Sequence, residues 1–550
     1  MNYLRIFKNS SKALRIRPSD PSESTLPLLP LQHSDSDYPL NEGKPEQKSP
    51  LRRLELRRAL FYRGWWRCLA TTAGILGVLT CAVVLIPFFA ASSSPGDLPI
   101  IDQAIVAHEA VDALFAQQSR TLAQASSRYS LRTGRPPPPY YERWFTFARE
   151  KQCLIDEYAQ IHRDFRPFYQ LARDNATTFQ NMIDRASRVL DDVDAEIARV
   201  EIRDGEVYMT GSTAYRDWPN TWRHFSAGLP NMTFLMNSRD EPRVAFNYRA
   251  PGSRERALLV NDSKPFQIQP RPTSGFFAQQ SGCNIPMEGA GFMETANNDS
   301  GFLIASAKPG YTTDLFPMLS MAKISPCFAD ILFPTEYYYQ RSWWSGKFDH
   351  PDNVPWDEKK PQIYWRGMSN GGMIIGNNYH HYARFKLVDL GRQHPDLMDV
   401  AITKFAETLC DKGCDRDAVI AEYNITKVGE PREDIYKYKY AIDVDGTTFS
   451  GRFLGLLRSG SLVFKSTLFE EYFNDWLRPY EHYVPVLADL SDLVEKIEWA
   501  NANPDEARLI QQKGLEVARR VLTDDQNDCY LYASLVEWAQ LQDYAQRPAT

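Results

Sequence analysis

The sequence predicts an α/β protein with parallel sheets, carried behind one membrane-spanning helix. Three observations predict this. Residues 68–91 form a run of 24 with no charged side chain. Beyond it, short apolar strand-like stretches alternate with amphipathic helical ones, the pattern of strands joined by crossover helices. Residues 435–466 also read as a complete β-turn-α-β unit.

The charge-free run, CLATTAGILGVLTCAVVLIPFFAA, is long enough to cross a bilayer core. It begins too late and runs too long for a secretory signal peptide. Arg52, Arg53, Arg57, Arg58, Arg63 and Arg67 crowd its N-terminal side, whereas Asp97 and Asp102 are the first charges beyond it. The positive-inside rule then leaves residues 1–67 in the cytosol and the body in the lumen. The formal charge of −6 splits accordingly. Residues 1–67 hold 13 basic and 7 acidic side chains, a net +6, which leaves −12 for the remainder. An acidic body argues against nucleic-acid binding. Five N-x-S/T sequons follow the run, at Asn175, Asn231, Asn261, Asn298 and Asn424. Six cysteines also follow it, an even number that permits three disulfides in an oxidising compartment.

Residues 1–67, rich in Ser, Pro and charge, read as a disordered tail. Residues 92–134 read as a stem with a helix over 105–124, and the prolines of 136–139 open the folded part. Residues 142–170 are expected to form a helix. Strands are expected on both sides of a turn within 231–247 and again over 327–334. YKYKYAIDVDG (436–446) reads as a buried strand, TTFSGRFLGLLRSG (447–460) as a helix stopped by Gly460, and SLVFKS (461–466) as a second strand. This places Ser450, Gly451 and Arg452 in the first helical turn, where free N–H groups and a guanidinium suit a phosphate. Ser491 is expected to cap the helix after it, Pro504 to open another, and a last helix around 530–542 to pack back on the body.

Several motifs occur together and in order: WRGMSNGG (365–372), ARFKLV (383–388), YKYAIDVDGTTFSGRF (438–453) and DWLRPYEHYVPV (475–486). With GRPPPPYYERWFTFA and IDEYAQIHRDFRPF ahead of them, they resemble the CAP10-type glycosyltransferases, which include fungal capsule-related xylosyltransferases and protein O-glucosyltransferases. The resemblance covers about Gly134 onward. It implies a GT-B fold of two facing Rossmann-like domains, an acceptor-side one over 135–385 and a nucleotide-sugar-binding one over 386–550. It also implies an inverting transfer from a UDP-sugar, with UDP-xylose and UDP-glucose the leading donors, to a hydroxyl on a glycan or glycoprotein. Type II topology with a stem points to the Golgi, or the ER.

Such a transfer needs a carboxylate to take the acceptor's proton. The resemblance puts this base at Asp240 of NSRDEPRV, beside Glu241 and Arg243, the latter a competing ion-pair partner. The departing diphosphate needs cations. The resemblance assigns this to Arg452, with Ser450 and Gly451 beside it, and secondly to Arg366 and Gly367 of the WRG motif. Arg384 and Lys386 stand where the family has two arginines, and Lys386 loses the bidentate fork. Asp443-Val444-Asp445 matches the D-x-D pattern that holds a metal in GT-A enzymes, but it precedes an Arg-bearing turn as in the metal-independent layout. Asp443 is therefore read as structural and Asp445 as lining the donor site. No cofactor is expected, with Mn or Mg as the departure from that reading. The alternatives are an inactive sugar-binding scaffold and a metal-dependent GT-A enzyme using Asp443 and Asp445.

Overall fold

In the computed structural model of the chain the described residues are 100–177, 179, 188, 197–211, 218–259, 268–269, 311–341, 354–410, 413–426 and 429–546. The apolar run 68–91 lies outside them, as do Asn261 and Asn298. Among the described residues no helix is long and apolar enough to cross a membrane. Residues from Ala104 onward form one compact unit; of the other, 33–103, the described part is 100–103.

Four helices lead in: α1 (Ile100–Ala116), α2 (Leu122–Thr133), α3 (Tyr141–Glu150) and α4 (Ala159–Asp174). A first sheet follows, of β1 (Ile197–Arg203), β2 (Glu206–Gly211), β3 (Met232–Asn237), β4 (Leu319–Ser320) and β5 (Ile331–Leu332), in the order β2-β1-β3-β4-β5. β1 and β2 form a hairpin across Asp204-Gly205, both at positive φ (51° and 83°), the geometry a two-residue turn demands. β1 also pairs antiparallel with β3, whereas β3, β4 and β5 run parallel.

The second sheet holds β6 (Lys360–Met368), β7 (Met398–Lys404), β8 (Tyr438–Val444), β9 (Leu462–Ser466) and β10 (Val484–Val486). Its order is β10-β9-β8-β6-β7 and every pair is parallel. β9 is buried at every position and β8 at all but one, as expected of strands covered on both faces. The connecting helices include α5 (Ala383–Gln393) after β6 and α6 (Phe453–Arg458) after β8. Three helices end the described chain: α7 (Leu493–Ala502), α8 (Pro504–Arg520) and α9 (Asp524–Gln546).

One apolar core runs continuously beneath both sheets. Lys323 and Glu470 join the two halves by exchanging main-chain bonds of 3.2 and 2.8 Å. The Lys323 ammonium is buried and donates to Asp164 Oδ1 on α4 at 2.5 Å.

Several expectations are corrected. The helix expected over 142–170 is two helices, because Gln152 takes a left-handed φ of 54° and Cys153 is bonded to Cys529 on α9. The second strand expected within 231–247 is a single bridge at Val244. The change of sheet falls between Leu332 and Lys360, the WRG strand being part of the second sheet. Residues 104–134 pack on the body: Ser119 bonds Asp156, and Tyr129 donates to Glu537 of α9 at 2.8 Å. Ser491 bonds Asp489 instead of capping α7. The expected strand 436–446, Pro504 at the start of α8 and the returning last helix are found. Cys410 is bonded to Cys414, and Cys327 is also disulfide-bonded.

Candidate functional site

The strand order of the second sheet fixes where a ligand fits. From β6 the chain runs outward to β7, then returns to place β8 on the other side of β6. Crevices beyond the carboxyl ends of two such strands are where open parallel sheets take ligands. Arg384, on α5, lies across this point. Its Nη1 donates to Met368 O at the end of β6 and its Nε to Asp445 O just past β8, both at 3.0 Å. Gly446 keeps this position open, since a Cβ there would lie 2.9 Å from the guanidinium.

Arg452 comes to the same place from the turn before α6 and donates to Arg366 O on β6 at 2.7 Å. Both guanidinium carbons lie 5.6 Å from the Trp365 ring centroid. The indole is close because Gly367 has no Cβ; one would meet the ring at 2.5 Å. Burial lowers the pKa of both arginines. Arg384 is brought to about 9, by desolvation first and by the charge of Arg452 second, so it remains protonated at neutral pH. Arg452 Nη2 and Trp365 Nε1 are buried donors with no hydrogen-bond partner among the described residues. A buried donor left without a partner is costly. Two cations and two buried, unpartnered donors around one indole form an arrangement suited to an acceptor-rich anion.

Ser450 and Gly451 stand beside this pair but precede α6, which begins at Phe453 with Arg452 at its cap position. The expected first-turn placement is thereby corrected. The Ser450 hydroxyl is drawn away to Asp443 Oδ1 at 3.2 Å, and the Arg452 N–H bonds Ser450 O. Asp443 is buried and its other oxygen faces Lys465 Nζ at 3.3 Å, so its charge is already matched. Asp445 is buried at the end of the same strand, where Oδ2 accepts the Leu468 N–H at 2.9 Å. Desolvation raises its pKa well above the usual carboxylate range. Among the described residues no group of three or more His, Cys, Asp or Glu side chains is placed to hold a metal.

Arg366 is not brought to the pair. Strand alternation sends Trp365 and Arg366 to opposite faces. Arg366 donates to Asp399 Oδ1 at 2.6 Å, faces Glu430 at 2.8 Å and lies over Tyr364. Its contribution to the crevice is its carbonyl. His380 packs locally against Tyr423.

Asp240 lies just past β3 of the first sheet, in the loop held by Asn237, whose Nδ2 donates to Glu241 O at 2.7 Å. Asp240 as a whole residue is half-buried. Desolvation first, then the charge of Glu241, raises its pKa to about 7, with Tyr337 and Arg239 acting the other way. Arg243 turns its Nε to Asn237 Oδ1 at 3.3 Å. Tyr337 supplies the link between this carboxylate and the second sheet. Its hydroxyl donates to Asp240 Oδ1 at 3.4 Å, and its ring faces Phe449 with centroids 6.0 Å apart. It also lies against Gly451, where a Cβ would be 3.1 Å from its own. One tyrosine thus spans from the carboxylate to the turn that carries Arg452.

The second sheet thus carries a cationic crevice at its switch point, and Tyr337 joins it to the Asp240 carboxylate beyond the first sheet. Residues 329–549 match the family model described as Glycosyl transferase family 90. It is 34% identical over 188 residues to Protein O-glucosyltransferase 2 of Danio rerio, which covers 34% of either chain. It is 32% identical over 191 residues to Protein O-glucosyltransferase 3 of Homo sapiens, covering 34% of this chain and 33% of that one. With Protein O-glucosyltransferase 1 of Homo sapiens it shares 28% over 259 residues, 43% of this chain and 60% of the relative. The chain thus spans about a third of the length of the first two relatives.

Proposed function

We propose that this protein is an inverting glycosyltransferase that moves a sugar from a UDP-sugar to a hydroxyl on a glycoprotein. The names of its relatives favour glucose, and xylose is the second donor. Asp240 takes the hydroxyl proton as the oxygen attacks the anomeric carbon, and the bond to the diphosphate breaks. UDP leaves with its new charge on Arg384 and Arg452, helped by the unpartnered donors of Arg452 and Trp365. The observation that carries this reading is the pair of guanidiniums at the switch point, joined through Tyr337 to a carboxylate with a pKa of about 7. A base near operating pH is best matched for proton transfer, and cations held in a low-dielectric crevice stabilise a developing diphosphate.

The reading is of a GT-B enzyme whose two sheets face the reacting groups, without need of a metal, since Asp443 is committed to Lys465 and Ser450. Asp445, Ser450, Gly451 and Gly367 shape the donor side. The same proposal anchors the body in the Golgi or ER lumen through 68–91. The Cys153–Cys529 and Cys410–Cys414 disulfides support an oxidising compartment.

The test is UDP release by the full chain in detergent from UDP-glucose and UDP-xylose, with water alone and with deglycosylated secreted glycoproteins as acceptor. Release from one donor that persists in EDTA and is lost in Asp240→Asn is expected. Release abolished by EDTA overturns the metal-free reading, and undiminished release by Asp240→Asn overturns the base.

A further inference from the structure

The segment between the two sheets contains a 3₁₀ turn, Glu336–Tyr338, whose start is fixed by Thr335: its Oγ1 accepts the Tyr337 N–H at 3.3 Å. The turn sends three consecutive tyrosines to different places. Tyr338 donates to Glu471 of the second half at 2.8 Å, and Tyr339 packs edge-on against Trp218 of the first. With its neighbours anchored to opposite halves, Tyr337 has little freedom to move as a whole. Its ring is in contact with the turn before α6 through Phe449 and Gly451, and its hydroxyl faces the Asp240 carboxylate. The 3.4 Å separation is long for an O–H···O bond, and bonds of this kind tighten when a reacting complex forms.

We infer that Tyr337 is a positioning residue: its hydroxyl aims the Asp240 carboxylate at the acceptor oxygen, and its ring transmits the seating of residues 449–452 to that carboxylate. The inference rests on the reading of Asp240 as the base. Diphosphate drawn onto Arg452 settles the turn. Gly451 presses on Tyr337, and the hydroxyl closes on Asp240, so the base is set once the donor is bound. The groups facing Asp240 are Arg239 and Glu241 on its own loop and Tyr337 from the 3₁₀ turn. Arg239 and Glu241 are fixed by the sequence of one loop; Tyr337 is the contact that reports on the donor side.

The experiment is Tyr337→Phe, which keeps the ring and removes the hydroxyl, assayed in the full chain by UDP release from UDP-glucose with water as acceptor. The hydroxyl stabilises the ionised carboxylate, so its loss should move the acid limb of the kcat/KM profile upward by about half a pH unit or more. It should lower kcat at pH 7 about tenfold and leave the Kd for UDP unchanged. Gly451→Ala, whose Cβ would press on Tyr337 from 3.1 Å, should move the limb downward, and in the Tyr337→Phe background it should not move it. A purely structural tyrosine would lower activity or stability with the limb in place, and an unmoved limb in Tyr337→Phe overturns the inference. If Asp240→Asn retains turnover, the base reading fails and this inference falls with it. If Asp240→Asn is inactive while the Tyr337→Phe limb stays put, this inference alone fails.

Discussion

Replacing Arg452 by methionine should weaken UDP binding without destabilising the unliganded protein. In the free protein Arg452 is half-buried beside the buried Arg384, and both have lowered pKa values. Removing it relieves that repulsion and one desolvation penalty. Against this stands the bond to Arg366 O, a net contribution of about 1 kcal/mol. In the UDP complex the guanidinium makes charge-assisted bonds worth roughly 1.5–3 kcal/mol, which is about 10- to 150-fold in Kd. UDP at 100 times the wild-type Kd stabilises the wild type by about 2.7 kcal/mol, whereas a variant bound 100-fold more weakly gains about 0.4 kcal/mol. Titration calorimetry with UDP at fixed ionic strength, paired with denaturation with and without UDP, measures both quantities. Arg366→Met is the control with the opposite signature. It strips a partner from Asp399 and Glu430, both more than a third exposed, and should cost about 1 kcal/mol of stability after solvent screening, with UDP affinity unchanged. A Kd for Arg452→Met within threefold of wild type refutes the assignment. So does an equal loss of affinity in Arg366→Met.

Asp240 should also shape stability against pH. Its folded pKa of about 7 lies above the unfolded value of about 3.9, so the native state holds a proton the unfolded chain has lost, and stability falls as pH rises between them. Asp240→Asn should therefore melt above the wild type at pH 8 and level with it at pH 4; a pH-independent difference refutes this. Lys323→Met leaves Asp164 buried without its ammonium and should cost about 3–5 kcal/mol in denaturant titrations. A cost below about 1 kcal/mol would show that the pair is not buried in solution. Cys153→Ser opens a crosslink between residues 376 apart and should cost about 2–5 kcal/mol under oxidising conditions, with no loss when the wild type is measured reduced.

How much of this was legible in the sequence depends on whether the cause was local. The β8-turn-α6-β9 unit could be read because its apolar runs and Gly460 carry their own signals. The break at 151–158 could not, since it answers to Cys529 on a helix more than 370 residues away. The divergence of Trp365 and Arg366 follows from the period-two alternation of a strand, a signal present in WRG but set aside for its charge. Arg384 was found through motif order, although its bonds to Met368 and Asp445 carbonyls require the sheet order. Among three adjacent tyrosines, only the turn decides which meets Asp240.

Helix α9 has a consequence for biosynthesis. It covers part of the first half: the Trp538 indole donates to Thr233 O at 3.2 Å, Tyr532 stacks on Phe225, and Cys529 holds Cys153. The earliest-made half of the body cannot finish folding as it emerges, because its cover is translated some 300 residues later. The nascent chain must keep β3 and its aromatic neighbours uncovered until synthesis has passed Gln546, a long interval in which chaperone holding and correct Cys153–Cys529 pairing decide the yield.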